Sequence, residues 1–204
     1  MPTILSHAVA ATALAQWYPN RQLPAKFWLW TAVCAVLPDV DVIGFSLGIR
    51  YDDMLGHRGL THSLAFAVVA GLVAARSCVK SDALGVGSCP STRSGHPASV
   101  EGWRLGILWI YFSAITASHG LLDALTNGGR GIAFFAPFSN QRFFFPWRPI
   151  QVSPIGVGFF SARGLAVLQS ELRWILLPSA IIALIARIAV KPARRRSRAP
   201  TEPF

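Results

Sequence analysis

The stretch WRLGILWIYFSAITASHGLLDAL, residues 103–125, decides the fold of this chain. It is apolar over the length that a helix needs to cross a lipid bilayer, because about 20 helical residues cover roughly 30 Å. It nevertheless carries His119 and Asp123 near its end. A spacing of four residues puts these two side chains on one face of the helix, about 40° apart. The stretch therefore predicts a membrane-spanning helix with an imidazole and a carboxylate at one end.

The composition of the whole chain is that of an integral membrane protein. Its 204 residues are 52% hydrophobic and 14% charged, whereas about 25% of the residues of an average soluble domain are charged. The net charge of +10 arises from short basic clusters between apolar runs, a pattern typical of segments that contact anionic lipid headgroups. This arrangement argues for membrane lipids as partners and against nucleic acid. The three cysteines show no CxxC spacing, which argues against a thiolate metal site or a disulfide framework.

Further apolar runs predict an all-α, polytopic membrane protein of about five apolar helices. The first two, 3–17 and 27–37, are short for a full span, and the other three are 61–79, 103–125 and 172–190.

Residues 1–190 are predicted to form a single helical membrane domain. A Ser-, Gly- and Pro-rich stretch at 80–102 predicts a flexible loop within it. The connections 39–59 and 126–171 are expected to be irregular, and the basic residues 191–204 to form a disordered tail.

The basic clusters also predict an orientation in the bacterial cytoplasmic (inner) membrane. If the basic tail is cytoplasmic, as the positive-inside tendency indicates, the loop 80–102 with its flanking basic residues falls on the same side. The connections 39–59 and 126–171 then lie on the extracytoplasmic face.

That topology brings histidines and acids from four helices to the extracytoplasmic face. Ionisable groups at membrane depth are costly and mark functional sites, and imidazole together with carboxylate suits zinc, manganese or iron. We therefore predict a divalent-metal site, with zinc as the first candidate. The candidate ligands are His7, Asp39, Asp41, His57, His62, His119 and Asp123.

The motif GHRGLTHS, residues 56–63, supplies two of these histidines from one segment. His57 and His62 are five residues apart and would lie roughly 140° apart if both were helical. Gly59 permits a bend between them, so we expect His57 in the loop and His62 in the first turn of the third helix.

Local signals predict where the helices begin and end. Pro38 should end the second helix and leave Asp39 and Asp41 in a non-helical segment from which both reach the site. Thr61 is a candidate N-cap of the third helix, and Pro178 should bend the last one.

Arginines near the predicted site have two interpretations. Arg58 is either a lipid-headgroup anchor or a group that binds phosphate or an anionic transition state. Arg130, Arg142 and Arg148 either add to such an anion site or lie at the membrane interface.

With these motifs in place, the chain resembles the YdjM-like family of bacterial inner-membrane proteins, described as membrane-bound metal-dependent hydrolases. The resemblance covers about residues 1–150 and rests on the early His7 and on LPDVD (37–41), GHRGLTHS (56–63), SHGLLDALT (118–126) and FPWRP (145–149). It implies metal ligands at the same seven positions. A more distant similarity to the all-helical zinc phospholipase C and P1 nuclease group implies zinc chemistry on phosphoesters.

We therefore expect a membrane-bound enzyme in which metal-activated water attacks an ester or phosphoester, small or lipidic. Asp39 or Asp41 would take the proton, and Arg58 would stabilise the developing negative charge. The alternative is a non-enzymatic membrane protein with a structural metal site. A transporter is disfavoured because the sequence shows no internal repeat and the ionisable groups gather at one end of the helices.

Overall fold

The computed structural model describes residues 2–17, 25–83, 98–154 and 159–189. Within these ranges the chain is helical, with isolated β-bridges and no strand. Its elements are α1 (Ile4–Ala15), α2 (Ala25–Val36), a 3-10 helix (Leu37–Leu47), a 3-10 turn (Leu60–His62), α3 (Leu64–Ala83), α4 (Ala98–Ala124), α5 (Ala162–Glu171), a π-helical turn (Leu172–Leu176) and α6 (Leu177–Ala189). Because α5, the π turn and α6 follow one another without a break, the predicted all-α architecture of about five apolar helices is confirmed.

Among the described residues, three helical segments are long and apolar enough to cross a membrane: Ala25–Leu47, Arg104–Ala124 and Ala162–Ala189. The apolar helices Ile4–Ala15 and Leu64–Val79 are shorter. The third predicted helix, 61–79, begins only at Leu64, because residues 60–62 form the 3-10 turn, and its described apolar part, Leu64–Val79, is shorter than a full span. The second predicted helix, 27–37, is short for a span, and α2 itself ends at Val36. The 3-10 helix continues it to Leu47, and the combined segment is long enough to span.

Pro38 ends α2 without ending the helical backbone, so the prediction of a non-helical segment at Asp39 and Asp41 is wrong. Proline fixes φ near the helical value, and its missing N–H costs little in the first turn of a new helix. The chain therefore continues as the 3-10 helix, with Pro38 at its start. Three residues per turn place Asp39 and Asp41 about 120° apart, so the two carboxylates face different neighbours. Gly48 then closes this helix in the left-handed conformation, at φ 77°.

The helices α3 and α4 pack closely along their length. A Cβ atom at Gly71 of α3 would lie 2.2 Å from the Ser113 hydroxyl oxygen of α4. The Trp109 indole of α4 donates a hydrogen bond to the Val68 carbonyl of α3, at 2.9 Å. The apolar core joins this pair to α1 and α2, and its buried members are Ala11, Ala15, Phe27, Cys34, Ala35, Ala74, Ala75, Cys78, Phe112 and Ile115.

The last helix begins earlier than predicted. Its helical backbone starts at Ala162 rather than at residue 172 and passes through the π turn just before Pro178. Pro178 has no N–H to donate to the helix. Just before it, the Leu177 N–H donates to the carbonyl of Leu172, five residues back, which is the π-turn pattern. The irregular connection that follows α4 is correspondingly shorter.

Two predicted segments lie wholly or partly outside the described residues. Helix α3 continues to Ala83 and α4 begins at Ala98, so the predicted loop 80–102 is shorter at both ends. Its residues 84–97 and the predicted basic tail 191–204 lie outside the described residues.

The connection after α4 folds back against the segment that precedes α3. The Ala133 N–H donates to the Arg58 carbonyl at 3.0 Å, and the Leu64 N–H donates to the Phe134 carbonyl at 3.0 Å. These backbone bonds fix the polar segment that carries His57 and His62.

Candidate metal centre

Four of the predicted ligands meet at one point inside the helix bundle. Asp39 comes from the 3-10 helix, His62 from the 3-10 turn, and His119 and Asp123 from consecutive turns of α4. One donor atom from each residue lies within 4.8 Å of one donor atom from each of the others, and all four residues are buried. The i, i+4 pair on α4 therefore joins two residues that are distant in sequence.

The four side chains point their free donor atoms at one another. The His119 Nε2 atom lies 3.2 Å from an Asp39 carboxylate oxygen. The His62 Nε2 atom lies 3.7 Å from oxygens of both Asp39 and Asp123. A cation placed among these atoms would replace several long contacts with direct ligand bonds.

Unpaired buried atoms test whether the residues fit a metal ion. Within the described part of the chain, both oxygens of Asp39 and Asp123 and the Nε2 atoms of His62 and His119 are buried without a hydrogen-bond partner. Buried polar atoms are normally paired, and an exception calls for an explanation such as an ion. Imidazole nitrogens and carboxylate oxygens are ligands for zinc, manganese and iron. The donor set therefore fits a divalent cation.

His7 joins the four-residue cluster from α1. Its ring stacks on the His119 ring with 3.8 Å between centroids, and its Nε2 atom lies 3.7 Å from an Asp123 oxygen. Both ring nitrogens of His7 are buried without a hydrogen-bond partner in the described residues. His7 is thus a fifth candidate ligand beside the other four.

Hydrogen bonds on the far side of each imidazole set the direction of two rings. The His119 Nδ1 atom lies 2.7 Å from the Ala35 carbonyl oxygen. A carbonyl oxygen can only accept a hydrogen bond, so Nδ1 donates its proton there and Nε2 is the nitrogen that could bind a metal. The His62 Nδ1 atom lies 3.2 Å from an Asp41 oxygen. Such outer contacts orient metal-binding histidines and fix their tautomers.

Asp41 and His57 lie beside the cluster as a hydrogen-bonded pair. One Asp41 oxygen is 2.7 Å from His57 Nδ1, and the other accepts hydrogen bonds from the Arg58 N–H at 3.1 Å and the Thr61 hydroxyl at 2.6 Å. Asp41, His57 and His62 also lie close enough to hold an ion. However, the atoms that face one another in this second group are already hydrogen bonded.

The pKa of His62 reflects its acidic surroundings. Burial lowers the pKa, but the nearby carboxylates of Asp39 and Asp41 outweigh that effect and raise the pKa to about 9. Surroundings that favour a positive charge on His62 also suit a bound cation, and metal binding at Nε2 would compete with protonation of the ring.

Thr61 does not cap α3, so that prediction is wrong. Helix α3 begins at Leu64, and the Ser63 hydroxyl accepts a hydrogen bond from the Phe66 N–H at 3.1 Å, as an N-cap does. Thr61 and His62 belong to the 3-10 turn before the helix. The Thr61 hydroxyl instead donates to Asp41.

Gly59, just before the 3-10 turn, packs so closely against the backbone of Met54 that there is no space for a side chain. A Cβ atom there would fall 2.2 Å from the Met54 carbonyl oxygen. The glycine therefore permits the close backbone approach that separates His57 from His62.

Arg58 lies inside the protein, behind Asp123. It is 1% exposed and adopts a positive φ of 65°. Its Nε atom is 3.0 Å from an Asp123 oxygen, and the guanidinium also donates to the Gly128 carbonyl and the Thr126 hydroxyl. Arg58 therefore holds a candidate ligand in place, and a headgroup contact would require it to reach the surface.

The other arginines of the predicted anion site lie farther out. Arg142 donates to the carbonyls of Tyr51, Asp53 and His57, so it fixes the backbone of that loop. Arg130 pairs with Asp52, and both partners are exposed. Arg148 is exposed and lies over the Phe144 ring, 4.8 Å from its centroid.

Comparison with known proteins places the chain among inner-membrane proteins. The family model described as "YdjM inner membrane protein" matches residues 1–196. The chain is 32% identical to the protein named "Inner membrane protein YbcI" of Escherichia coli (strain K12) over 185 residues, which cover 89% of this chain and 95% of that protein. No solved structure gives a significant match.

Proposed function

The chain belongs to the YdjM inner membrane protein family, and on that premise we propose that it is a membrane-bound, metal-dependent hydrolase of an ester or phosphoester. The observation that supports the proposal is the set of buried nitrogen and oxygen atoms on Asp39, His62, His119 and Asp123 that have no hydrogen-bond partner among the described residues, with His7 beside them. The ion is zinc, with manganese and iron as alternatives for the same donors.

The chemistry of the donor set favours catalysis over a structural role. Structural zinc sites are typically rich in cysteine thiolates, whereas catalytic sites use histidine and carboxylate and keep a position open for water. The cluster consists of histidines and aspartates. When bound, a divalent cation supplies Lewis acidity and lowers the pKa of water towards neutrality.

The hydrogen bonds divide the carboxylates into two roles. Both oxygens of Asp41 already accept hydrogen bonds, so Asp41 serves to orient His57 and His62. Neither oxygen of Asp39 has a hydrogen-bond partner among the described residues, and Asp39 is 8% exposed, the most exposed of the four clustered residues. We assign Asp39 as both ligand and base, with one oxygen available to take the proton of the attacking water.

The membrane location supports an amphiphilic substrate. In the part of the chain that the structure describes, three segments are long and apolar enough to span a bilayer, and the cluster lies near the end of one of them, at His119 and Asp123. A site on the extracytoplasmic face, with the basic tail in the cytoplasm, would act on phospholipids or similar esters at that surface.

The test is elemental analysis of the full-length protein in detergent, together with a screen for phosphodiester and phospholipid hydrolysis. We expect about one divalent ion per chain and expect His119→Ala to lose both metal and activity, because it removes one of the clustered ligands. The variant His96→Ala is the matched control, since it removes the histidine that is not among the predicted ligands. Full activity in a metal-free His119→Ala protein would refute the proposal.

A second candidate, a structural metal site without enzymatic activity, is supported by the burial of the cluster. His62, His119 and Asp123 are each at most 3% exposed, and a closed site would leave no position for substrate. Cobalt substitution separates the two candidates. An open position allows added azide to change the visible spectrum, whereas a closed site leaves the spectrum unchanged.

A further inference from the structure

Glu171 is a buried acid within a candidate membrane span. It is 1% exposed and lies in the segment Ala162–Ala189, at the residue before the π turn. An acid at such a position is costly unless other groups satisfy it, and it therefore calls for a specific role.

The contacts of Glu171 go to the start of α1. One carboxylate oxygen accepts a hydrogen bond from the Thr3 N–H at 2.5 Å. The other accepts from the Thr3 and Ser6 hydroxyls, each at 2.7 Å. The last helix is thus tied to the first by three hydrogen bonds.

These donors lie at the end of α1 that favours a negative charge. The first N–H groups of a helix lack partners within the helix, and its dipole places partial positive charge there. Thr3 is the N-cap residue and its hydroxyl accepts from the Ser6 N–H at 3.4 Å. Glu171 adds to this cap, so it fixes the residue at which α1 begins and the position of that end of α1 relative to the last helix.

His7, the residue after Ser6, is the contribution of α1 to the candidate metal centre. Its nitrogens have no hydrogen-bond partner among the described residues, in contrast to His119 and His62, which are oriented by Ala35 and Asp41. Stacking on His119 orients the plane of the His7 ring, but the backbone of α1 sets its distance from the cluster.

We propose that Glu171 is a positioning residue for the metal centre: it anchors the N-terminus of α1 and thereby holds His7 against His119 and Asp123. This inference rests on the metal-binding part of the proposed function and is independent of whether the site is hydrolytic. The carboxylate acts through Thr3 and Ser6.

The test compares the zinc affinity of the full-length protein in detergent, by competition with a chromophoric chelator, for the wild type, Glu171→Gln, His7→Ala and the double variant. We expect Glu171→Gln to weaken zinc binding about 10- to 100-fold, as changes to supporting residues around metal sites do. In the His7→Ala background the same change should have little further effect. Gln169→Ala, which removes an exposed side chain of α5, is the matched control and should bind zinc as the wild type does.

Two results would overturn the inference: wild-type affinity in Glu171→Gln, or an equal loss with and without His7. Ser6→Ala is the milder variant if Glu171→Gln folds poorly, because it removes one of the three hydrogen bonds, and it should give a smaller loss that again requires His7.

A measurement without metal gives an independent readout. Amide hydrogen exchange in the metal-free protein should be faster over Ile4–Ala15 in Glu171→Gln and unchanged in α4; unchanged exchange in α1 would contradict the anchoring role. Zinc binding without hydrolysis would refute the enzymatic proposal and leave this one standing. Hydrolysis by the wild type, together with wild-type zinc affinity in Glu171→Gln, would support the enzymatic proposal and refute the positioning role of Glu171.

Discussion

Replacing Arg58 by methionine should destabilise the metal-free protein strongly and the zinc-loaded protein less. The substitution keeps much of the aliphatic volume but removes a guanidinium that contacts Asp123 at 3.0 Å and donates to Thr126 and Gly128. Asp123 is 0% exposed, so its carboxylate loses this contact inside the protein rather than at a solvated surface.

The magnitude follows from what remains after the change. Removing one partner of a buried ion pair costs about 3–5 kcal/mol, because the other charge stays buried and uncompensated. When a divalent cation binds Asp123, the ion compensates the carboxylate, and the cost falls to that of the lost hydrogen bonds, about 1–3 kcal/mol. For a protein of this size, about 2–4 °C of melting temperature correspond to 1 kcal/mol.

The assay is thermal unfolding in detergent, with each variant compared with the wild type in chelator and again in zinc. Arg58→Met should lower the melting temperature by about 6–20 °C in chelator and by clearly less in zinc. Arg148→Met, which removes an exposed arginine, should change stability by no more than about 0.5 kcal/mol. Equal drops for Arg58→Met in the two conditions would refute the placement of Asp123 at a metal centre.

Three further outcomes are expected. Adding zinc to about 100 times its dissociation constant should stabilise the wild type by about 2.7 kcal/mol over the chelated protein, and a His119→Ala protein that responds as much to zinc would contradict the assigned ligands. Gly71→Val should lower the free energy of unfolding by about 1–3 kcal/mol or more, because the new side chain overpacks against Ser113. Gly106→Ala is the control: a Cβ there meets nothing within 4 Å, so the change should be neutral or stabilise by up to about 1 kcal/mol. Similar unfolding temperatures for the two variants would exclude the close α3–α4 approach. Gly129→Ala should lower stability by more than about 1 kcal/mol, because φ is +85° at this position. It should also lower zinc affinity, because the new Cβ would lie 2.4 Å from Arg58 Nη1 and displace that guanidinium. Wild-type zinc affinity would show that Arg58 does not support Asp123.

The sequence predicted what depends on short-range pattern. Apolar runs of sufficient length identified the helices other than α5, and the four-residue spacing of His119 and Asp123 placed both on one helical face. The prediction that these residues meet Asp39 and His62 came from an assumed alternation of the helices across a membrane, and the structure brings the four residues together.

What the sequence did not predict depends on contacts between distant residues. Pro38 signals the end of an α-helix, but the start of a 3-10 helix is decided by the packing of its side chains. The partner of Arg58 is Asp123, 65 positions away in sequence, so its burial could not be inferred from local composition. The Ala35 carbonyl that orients His119 carries no side-chain signal at all.

The hydrogen bond between Thr3 and Glu171 joins residues 168 positions apart. Since a chain is synthesised from its N-terminus, α1 is made long before Glu171, its proposed anchor. The candidate ligands His7, Asp39, His62, His119 and Asp123 are all made before Glu171, so on the proposed anchoring role the site would be complete only after the last helix has been added. Metal acquisition is therefore expected as a late step of biogenesis, after the final helix has docked, and a chain truncated before residue 171 would carry these five side chains without holding them as a competent centre.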